Sequence, residues 1–146
     1  MVVLKRIGKS MTTPCMKYRC VRCCVETEML LLEEDVKRIV RMGFKYEYFV
    51  VDRDGWLYLR NAEGMCVFNN GKKCLIYKNR PLGCRLYPLV YDEDYGIVTL
   101  DKYCPHRSEF KVSKADEDRA LFFVEKLKDE RRLRMERKNR LKNQAG

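Results

Sequence analysis

Several features of membrane-spanning and secreted proteins are missing from this 146-residue sequence. No apolar run approaches the roughly 20 residues that cross a bilayer. The basic N-terminus is not followed by the apolar stretch of about 7–15 residues that a signal peptide carries. We therefore expect a cytoplasmic protein without a membrane partner. The eight glycines are scattered and form no G-x-G, so the sequence contains no glycine-rich nucleotide loop.

Histidine is nearly absent, whereas cysteine is abundant. We interpret the one histidine, His106, as a surface residue, because a single histidine has little specificity as a metal ligand or proton shuttle. In a reducing cytoplasm, eight cysteines favour metal ligation before disulfides. Four of them lie within ten residues, CMKYRCVRCC at 15–24. All eight are candidate metal ligands: Cys15, Cys20, Cys23, Cys24, Cys66, Cys74, Cys84 and Cys104.

The spacing of the cysteines leaves the cofactor open between zinc and an iron–sulfur cluster. Cys20 and Cys23 are separated by two residues, which lets two sulfurs reach one tetrahedral ion. Cys15 precedes Cys20 by four residues, so these three also match the plant-type ferredoxin spacing, although large side chains fill the run. Thiolates accept either cofactor. Ordinary core thiols or disulfides are the remaining alternative.

The adjacent pair Cys23–Cys24 raises the question of how many centres there are. In extended backbone, neighbouring side chains point to opposite faces. We therefore expect one of the pair to face a different centre, or to be a non-ligand thiol beside the site. Eight sulfurs allow two four-sulfur sites, or one cluster together with a few structural thiols.

Apolar periodicity and turn residues predict an α+β fold. Helical spacing after a run of acidic residues predicts a short helix over Glu33–Met42. Ser113 and Asp116 form an S-x-x-D capping box that begins a final helix. We expect a small metal-stapled domain of β-hairpins at residues 1–112, followed by a C-terminal basic helix at 113–146. Three hairpins are predicted from β-rich runs around turn sequences, namely Tyr48–Val51 with Trp56–Leu59, Met65–Phe68 with Cys74–Tyr77, and Leu89–Tyr91 with Ile97–Leu100.

The C-terminal helix carries much of the net charge of +10. Residues 126–146 contain nine Lys and Arg side chains against three acidic ones. Residues 126–142 could lie along RNA or contact an acidic protein partner. The alternative is a solvated helix whose charge keeps the protein soluble. Because the apolar stripe thins beyond Lys128, we expect the first half of the helix to dock and the second half to be solvated.

One motif resembles a known family. Cys74–Pro88 reads C-x-I-Y-x2-R-P-x2-C-R-x-Y-P, with C-x2-C-C at residues 20–24 and the C-x-F of Cys66–Phe68 upstream. This closely resembles the YkgJ-type cysteine-cluster family, which is named for a C-x2-C-x2-C-C signature and described as a candidate zinc- or iron-chelating domain. The resemblance covers about residues 15–90. It implies a metal-binding protein with a structural or redox role.

The resemblance also bears on activity and on two arginines. Relatives of the family include a flagellin lysine N-methylase, which implies protein modification as an alternative function and leaves the question of an enzyme open. Arg80 and Arg85 bracket Cys84. They are candidate cofactor-binding residues, because they could donate to cluster sulfurs or hold an anionic substrate. Otherwise they pair with backbone carbonyls or with an acid such as Asp35.

Overall fold

A computed structural model describes Tyr18 and residues 20–145. Its elements confirm a small α+β fold in which each of the three sheets consists of two antiparallel strands. Short 3₁₀ turns lie at Arg22–Cys24, Tyr77–Asn79 and Arg107–Glu109. The helices are α1 (Glu33–Arg41), α2 (Tyr46–Phe49), α3 (Leu82–Leu86) and α4 (Lys114–Ala145); the strands are β1 (Val50–Arg53), β2 (Trp56–Leu59), β3 (Asn61–Ala62), β4 (Met65–Cys66), β5 (Leu89–Asp92) and β6 (Ile97–Leu100).

The predicted third hairpin and both predicted helices are present. The first hairpin is also present, but its first strand begins at Val50 and not at Tyr48, because Tyr48 and Phe49 end α2. Strand β1 pairs with β2 across Asp54 and Gly55, and β5 pairs with β6. In α4, the backbone N–H of Ser113 donates to Asp116 Oδ2 at 2.8 Å, and the Asp116 N–H donates back to Ser113 Oγ at 3.3 Å. This reciprocal pair is the predicted capping box, and it satisfies donors that the start of a helix leaves without partners.

The predicted second hairpin is wrong. Strand β4 pairs instead with β3, across a two-residue turn in which Glu63 and Gly64 have φ values of 53° and 78°. Positive φ values at both central residues are typical of a two-residue β-hairpin turn. Between residues 69 and 74 a single bridge joins Asn69 to Cys74. The side chains of Asn69 and Asn70 accept N–H groups of the intervening loop, and such local bonds compete with strand pairing.

The core lies between α1, the β1–β2 hairpin and the cysteine-bearing loops. Phe49 and Ile39 have no exposed surface, and Leu31 and Phe68 are 1% and 2% exposed. Phe68 packs edge-on against Phe44, with ring centroids 5.0 Å apart. Several cysteines pack at the border of this cluster. The hydrophobic core is therefore continuous with the wall of the candidate site.

Helix α4 docks along more of its length than the sequence predicted. Arg134 is 9% exposed; it donates to the Gly55 carbonyl and pairs with Glu33 at 2.7 Å. The guanidinium of Arg131 lies 5.0 Å from the centre of the Trp56 ring. Lys138 contacts Asp52 at 2.6 Å. The expectation of a solvated second half is thus wrong up to Lys138, whereas the side chains of residues 139–145 are exposed. Whether residues 113–146 form a separate unit stays a prediction.

The turn of the β1–β2 hairpin meets α4 closely enough to suggest a test. Gly55 has φ +83°, and a Cβ added there would lie 2.7 Å from Met135 Sδ. We expect Gly55→Ala to destabilise the protein through both backbone strain and this close contact. Gly64 has φ +78° with open space around it, so Gly64→Ala should cost about 1–3 kcal/mol from strain alone. Gly55→Ala should cost about 1–3 kcal/mol more, because the added carbon overpacks the contact.

Urea denaturation of the two variants measures this difference in free energy of unfolding. Equal losses in both would mean that Met135 moves aside without cost and that the helix is not held closely against the turn.

A further feature concerns membranes. In the described part of the chain, none of the helices combines the length and the apolar character that crossing a bilayer requires.

Candidate metal centre

Six of the predicted cysteines line one cavity of about 760 Å³. The knuckle at residues 20–24 supplies three of them, two of which lie in its 3₁₀ turn; β4, the loop before residue 75 and α3 supply one each. Cys104 is buried but does not line this cavity. Cys15 lies outside the described residues. The six cavity cysteines are Cys20, Cys23, Cys24, Cys66, Cys74 and Cys84.

Four of these cysteines form an electrostatically connected set, which we call the four-thiol group: Cys24, Cys66, Cys74 and Cys84. The charge of the Cys24 thiolate contributes to raising the pKa of each of the other three thiols. Charges at Cys66 and Cys74 likewise act on Cys84. Such interactions require proximity in a low-dielectric environment. The fold therefore brings together thiols that lie 60 residues apart in the sequence.

Desolvation decides the protonation of three members of the four-thiol group. Burial raises the pKa of Cys66 to about 12 and is also the first cause of the raised pKa values of Cys74 and Cys84. In the absence of a cation, these three thiols are protonated at neutral pH. Since only thiolates bind soft metals, a cation entering this site must displace protons.

Cys24 differs from the other three members. A hydrogen bond from the side chain of Cys23 is the main cause that lowers the pKa of Cys24 to about 7, against the opposing effect of burial. The Asn69 amide and the Arg80 charge lower it further. The structure thus separates the adjacent pair: Cys24 joins the four-thiol group, and Cys23 is its hydrogen-bonding neighbour.

Backbone N–H groups support several of the sulfurs. The N–H of Phe68 donates to Cys66, and the N–H of Ile76 donates to Cys74; each of these bonds lowers the pKa of its thiol against the effect of burial. The N–H of His106 acts in the same way on the pKa of Cys104. In all three cases the donor is two residues after the cysteine. Hydrogen bonds of this kind orient thiolate ligands and tune the centres they bind.

Arg80 and Arg85 bind backbone carbonyls. Arg80 Nη1 donates to Tyr77 O at 2.9 Å, and Arg85 Nε donates to Arg80 O at 3.0 Å. The charge of Arg80 also lowers the pKa values of Cys24, Cys74 and Cys84. Direct contact of either arginine with a cofactor stays a prediction.

Asp35 is a supporting residue that sequence reasoning did not assign to the site. Its carboxylate is 3% exposed and pairs with Arg38 at 2.9 Å. Asp35 Oδ1 accepts the N–H of Leu82 at 3.1 Å, and Oδ2 accepts the N–H of Leu32 at 3.0 Å. These bonds tie α1 to the start of α3, which carries Cys84. The sequence does contain a signal for this ion pair, namely an acid in the first turn of a helix followed by an arginine three residues later.

The other described cysteines are Cys20, Cys23 and Cys104. They lie near a second group of polar residues that includes Tyr87 and Asp101. The charge of Cys20 contributes to raising the pKa of Cys104, after the larger effect of burial. Tyr87 donates its hydroxyl to Asp101 at 2.7 Å, and charges at Cys104 and Cys23 act on it. His106 is half-buried rather than fully on the surface, and it stacks on Tyr18 with ring centroids 4.1 Å apart.

The chemistry of the donor set fits zinc or iron, because both accept four thiolates. As the side chains stand, no three Cys, His, Asp or Glu residues within the described ranges lie close enough together to hold one ion. Another observation points to a missing acceptor. Asn69 Nδ2 is buried without a hydrogen-bond partner in the cavity wall. An anionic sulfur is an acceptor that would satisfy it.

Comparison with known families decides the classification. The family model CxxCxxCC, "Putative zinc- or iron-chelating domain", matches residues 14–105. The chain belongs to this family. The match confirms the predicted cysteine-cluster family and supports metal binding in general; it does not distinguish zinc from iron. No curated protein and no solved structure matches the chain.

Proposed function

We propose that this chain binds a zinc ion or an iron–sulfur cluster through Cys24, Cys66, Cys74 and Cys84, and that the bound centre holds the fold together. One observation carries the proposal: four thiols from four separate segments face one cavity within electrostatic reach of one another. Ordinary core thiols have no reason to converge in this way. Family membership supports the same conclusion.

The segments that carry the four thiols favour a structural role. Cys24 ends a three-residue 3₁₀ turn, Cys66 ends a two-residue strand, and Cys84 lies in a five-residue helix. Cys74 is held by a single β-bridge. Elements this short have little cooperativity of their own. A closed four-sulfur site would supply folding energy at the place where secondary structure supplies least.

The state of the thiols suggests how a cation is taken up. Cys24, with a pKa of about 7, offers a partly ionised sulfur at neutral pH. The other three sulfurs, Cys66, Cys74 and Cys84, would have to give up their protons in order to hold a cation. The Arg80 charge favours the anionic form of Cys24, Cys74 and Cys84 and so assists this step.

Elemental analysis with visible absorption on anaerobically purified protein tests the proposal. Colourless protein with stoichiometric zinc, or brown protein with iron, sulfide and absorbance at about 400 nm, would support it and identify the cofactor. Folded protein that is isolated metal-free would contradict it.

For the structural role, stripping with a chelator should lower the thermal midpoint. A stripped sample that stays as stable as before would contradict that role.

Other predictions from the sequence stay predictions. Cys15, Cys20, Cys23 and Cys104 remain candidate ligands of a second centre, and the metal content per chain distinguishes one centre from two. A redox role would require a reversible change in the absorption of an iron–sulfur form. A lysine methylase would bind a methyl donor saturably, which calorimetry measures. Cytoplasmic localisation and a partner for residues 126–142 likewise stay predictions.

A further inference from the structure

Asn69 occupies a defined position between two cysteines of the four-thiol group. It lies three residues after Cys66, with its N–H bonded to Cys66 O at 2.9 Å, and it forms the β-bridge to Cys74. Its side-chain Oδ1 accepts the N–H of Gly71 at 2.8 Å. This bond fixes the orientation of the amide, because Oδ1 must face the loop. Nδ2 is then the atom that is left in the cavity wall.

The Nδ2 group is buried and has no hydrogen-bond partner. A buried amide donor without an acceptor is costly, and nearly all such groups in folded proteins are satisfied. Although no acceptor meets both the distance and the angle of a hydrogen bond to Nδ2, the Asn69 side chain lies close enough to Cys24 to act as a donor that lowers the pKa of its thiol. Both residues line the same cavity. The nearby group best able to accept from Nδ2 is therefore the sulfur of Cys24 in its anionic form.

We propose that Asn69 is a positioning residue for the metal centre, which donates from Nδ2 to the sulfur of Cys24 when that sulfur is coordinated. The inference rests on the proposed function and adds a residue from outside the cysteine set. A thiolate that accepts a hydrogen bond is held in one orientation and has its charge partly compensated. An anionic, coordinated Cys24 sulfur would be an acceptor able to satisfy the buried donor.

Asn70 provides a matched control in the same loop. Its Oδ1 accepts the N–H groups of Lys72 and Lys73, each at 3.0 Å, and its side chain is exposed. Asn69→Asp and Asn70→Asp each add one negative charge and each retain an oxygen for the loop N–H groups. Only Asn69→Asp replaces a donor in the cavity with an acceptor that repels a thiolate.

The experiment is competition between each full-length variant and a chelator for the metal that the wild-type protein carries. We expect Asn69→Asp to weaken metal affinity by about 10–100-fold, as loss of a partner to a metal ligand does elsewhere. Asn70→Asp should bind like the wild type. Asn69→Ala removes the donor without adding charge, and its matched control is Asn70→Ala. We expect Asn69→Ala to bind metal more weakly than Asn70→Ala, with a smaller loss of affinity than Asn69→Asp shows. Urea denaturation of the stripped proteins shows whether the metal-free fold is unaffected.

The outcomes separate this inference from the proposed function. Equal affinities for Asn69→Asp and Asn70→Asp, in a wild type that binds metal, would overturn the role of Asn69 and leave the proposed centre in place. So would a loss in Asn69→Asp that is fully accounted for by a less stable metal-free fold. Wild-type protein that takes up no metal would overturn the proposed function, and this inference with it.

Discussion

Cys84→Ser is expected to weaken metal binding strongly and with it to lower the stability of the cysteine-bearing loops. Cys84 lies in α3, which Asp35 ties to α1. Structural zinc sites bind with about 10–16 kcal/mol of apparent free energy at pH 7. If this free energy is divided evenly, one ligand of four carries about 2.5–4 kcal/mol, which corresponds to a loss of about 70- to 900-fold in affinity. Serine is nearly the same size, so packing changes little.

Metal content and thermal unfolding of the purified variant measure this effect. Ile76→Val serves as the control, since Ile76 is 3% exposed and lines the same cavity but is not a metal donor. We expect it to cost about 0.5–1.5 kcal/mol while retaining the full metal content. Cys84→Ser protein with unchanged metal content would remove Cys84 from the ligand set. Metal loss from Ile76→Val of the same size would attribute the effect to packing.

The parts of the fold that depend on local signals could be predicted from the sequence. Strand pair β1–β2 follows from β-rich runs around Asp54 and Gly55, and the start of α4 follows from Ser113 and Asp116. The second hairpin could not be predicted in the same way, because two turns compete. Glu63 and Gly64 make the tighter turn, and the side chains of Asn69 and Asn70 hold the other segment as a loop.

The site shows the same limit. Spacing predicts that the cysteines bind metal, but it cannot say whether Cys23 or Cys24 joins Cys66, Cys74 and Cys84. That choice depends on a 3₁₀ turn and on packing between distant segments. Asn69 and Asp35 carry no motif of their own, since their roles come from what lies opposite them in the fold. The position of Asn69 beside Cys24 becomes evident only when both line one cavity.

Helix α4 was mispredicted because apolar periodicity does not register docking by cationic side chains. Arg131 and Arg134 bury their stems against the β1–β2 hairpin, while their charged ends donate to the carbonyls of Asp54 and Gly55 there. A helix can therefore continue to dock after its apolar stripe has thinned. The same contacts change the meaning of the basic C-terminus, because side chains that bind the body contribute less charge to an external partner.

Ending the chain at Lys128 is accordingly expected to lower the free energy of unfolding by about 2–5 kcal/mol. The loss of Arg134 leaves the carbonyl of Gly55 without this buried donor, at about 1–3 kcal/mol. The contact of Arg131 with Trp56 adds about 0.5–1 kcal/mol, and the half-exposed pair of Lys138 with Asp52 adds up to about 1 kcal/mol. Urea denaturation measures the sum.

A chain that ends at Arg140 is the matched control, because the side chains it lacks are exposed. It should be as stable as the full chain, and equal stability of both truncations would contradict the docking of α4.

The comparison also shows how RNA contact has to be tested. Shortening to Lys128 disturbs the body and the charge together, so an effect on RNA retention would have two explanations. Substituting glutamine for the exposed Arg137, Arg140 and Lys142 lowers the charge by three while the contacts of Arg131, Arg134 and Lys138 stay intact. RNA retention at low salt that falls in this variant, with unchanged stability, would establish an external partner for the helix, and unchanged retention would assign its charge to docking and solubility.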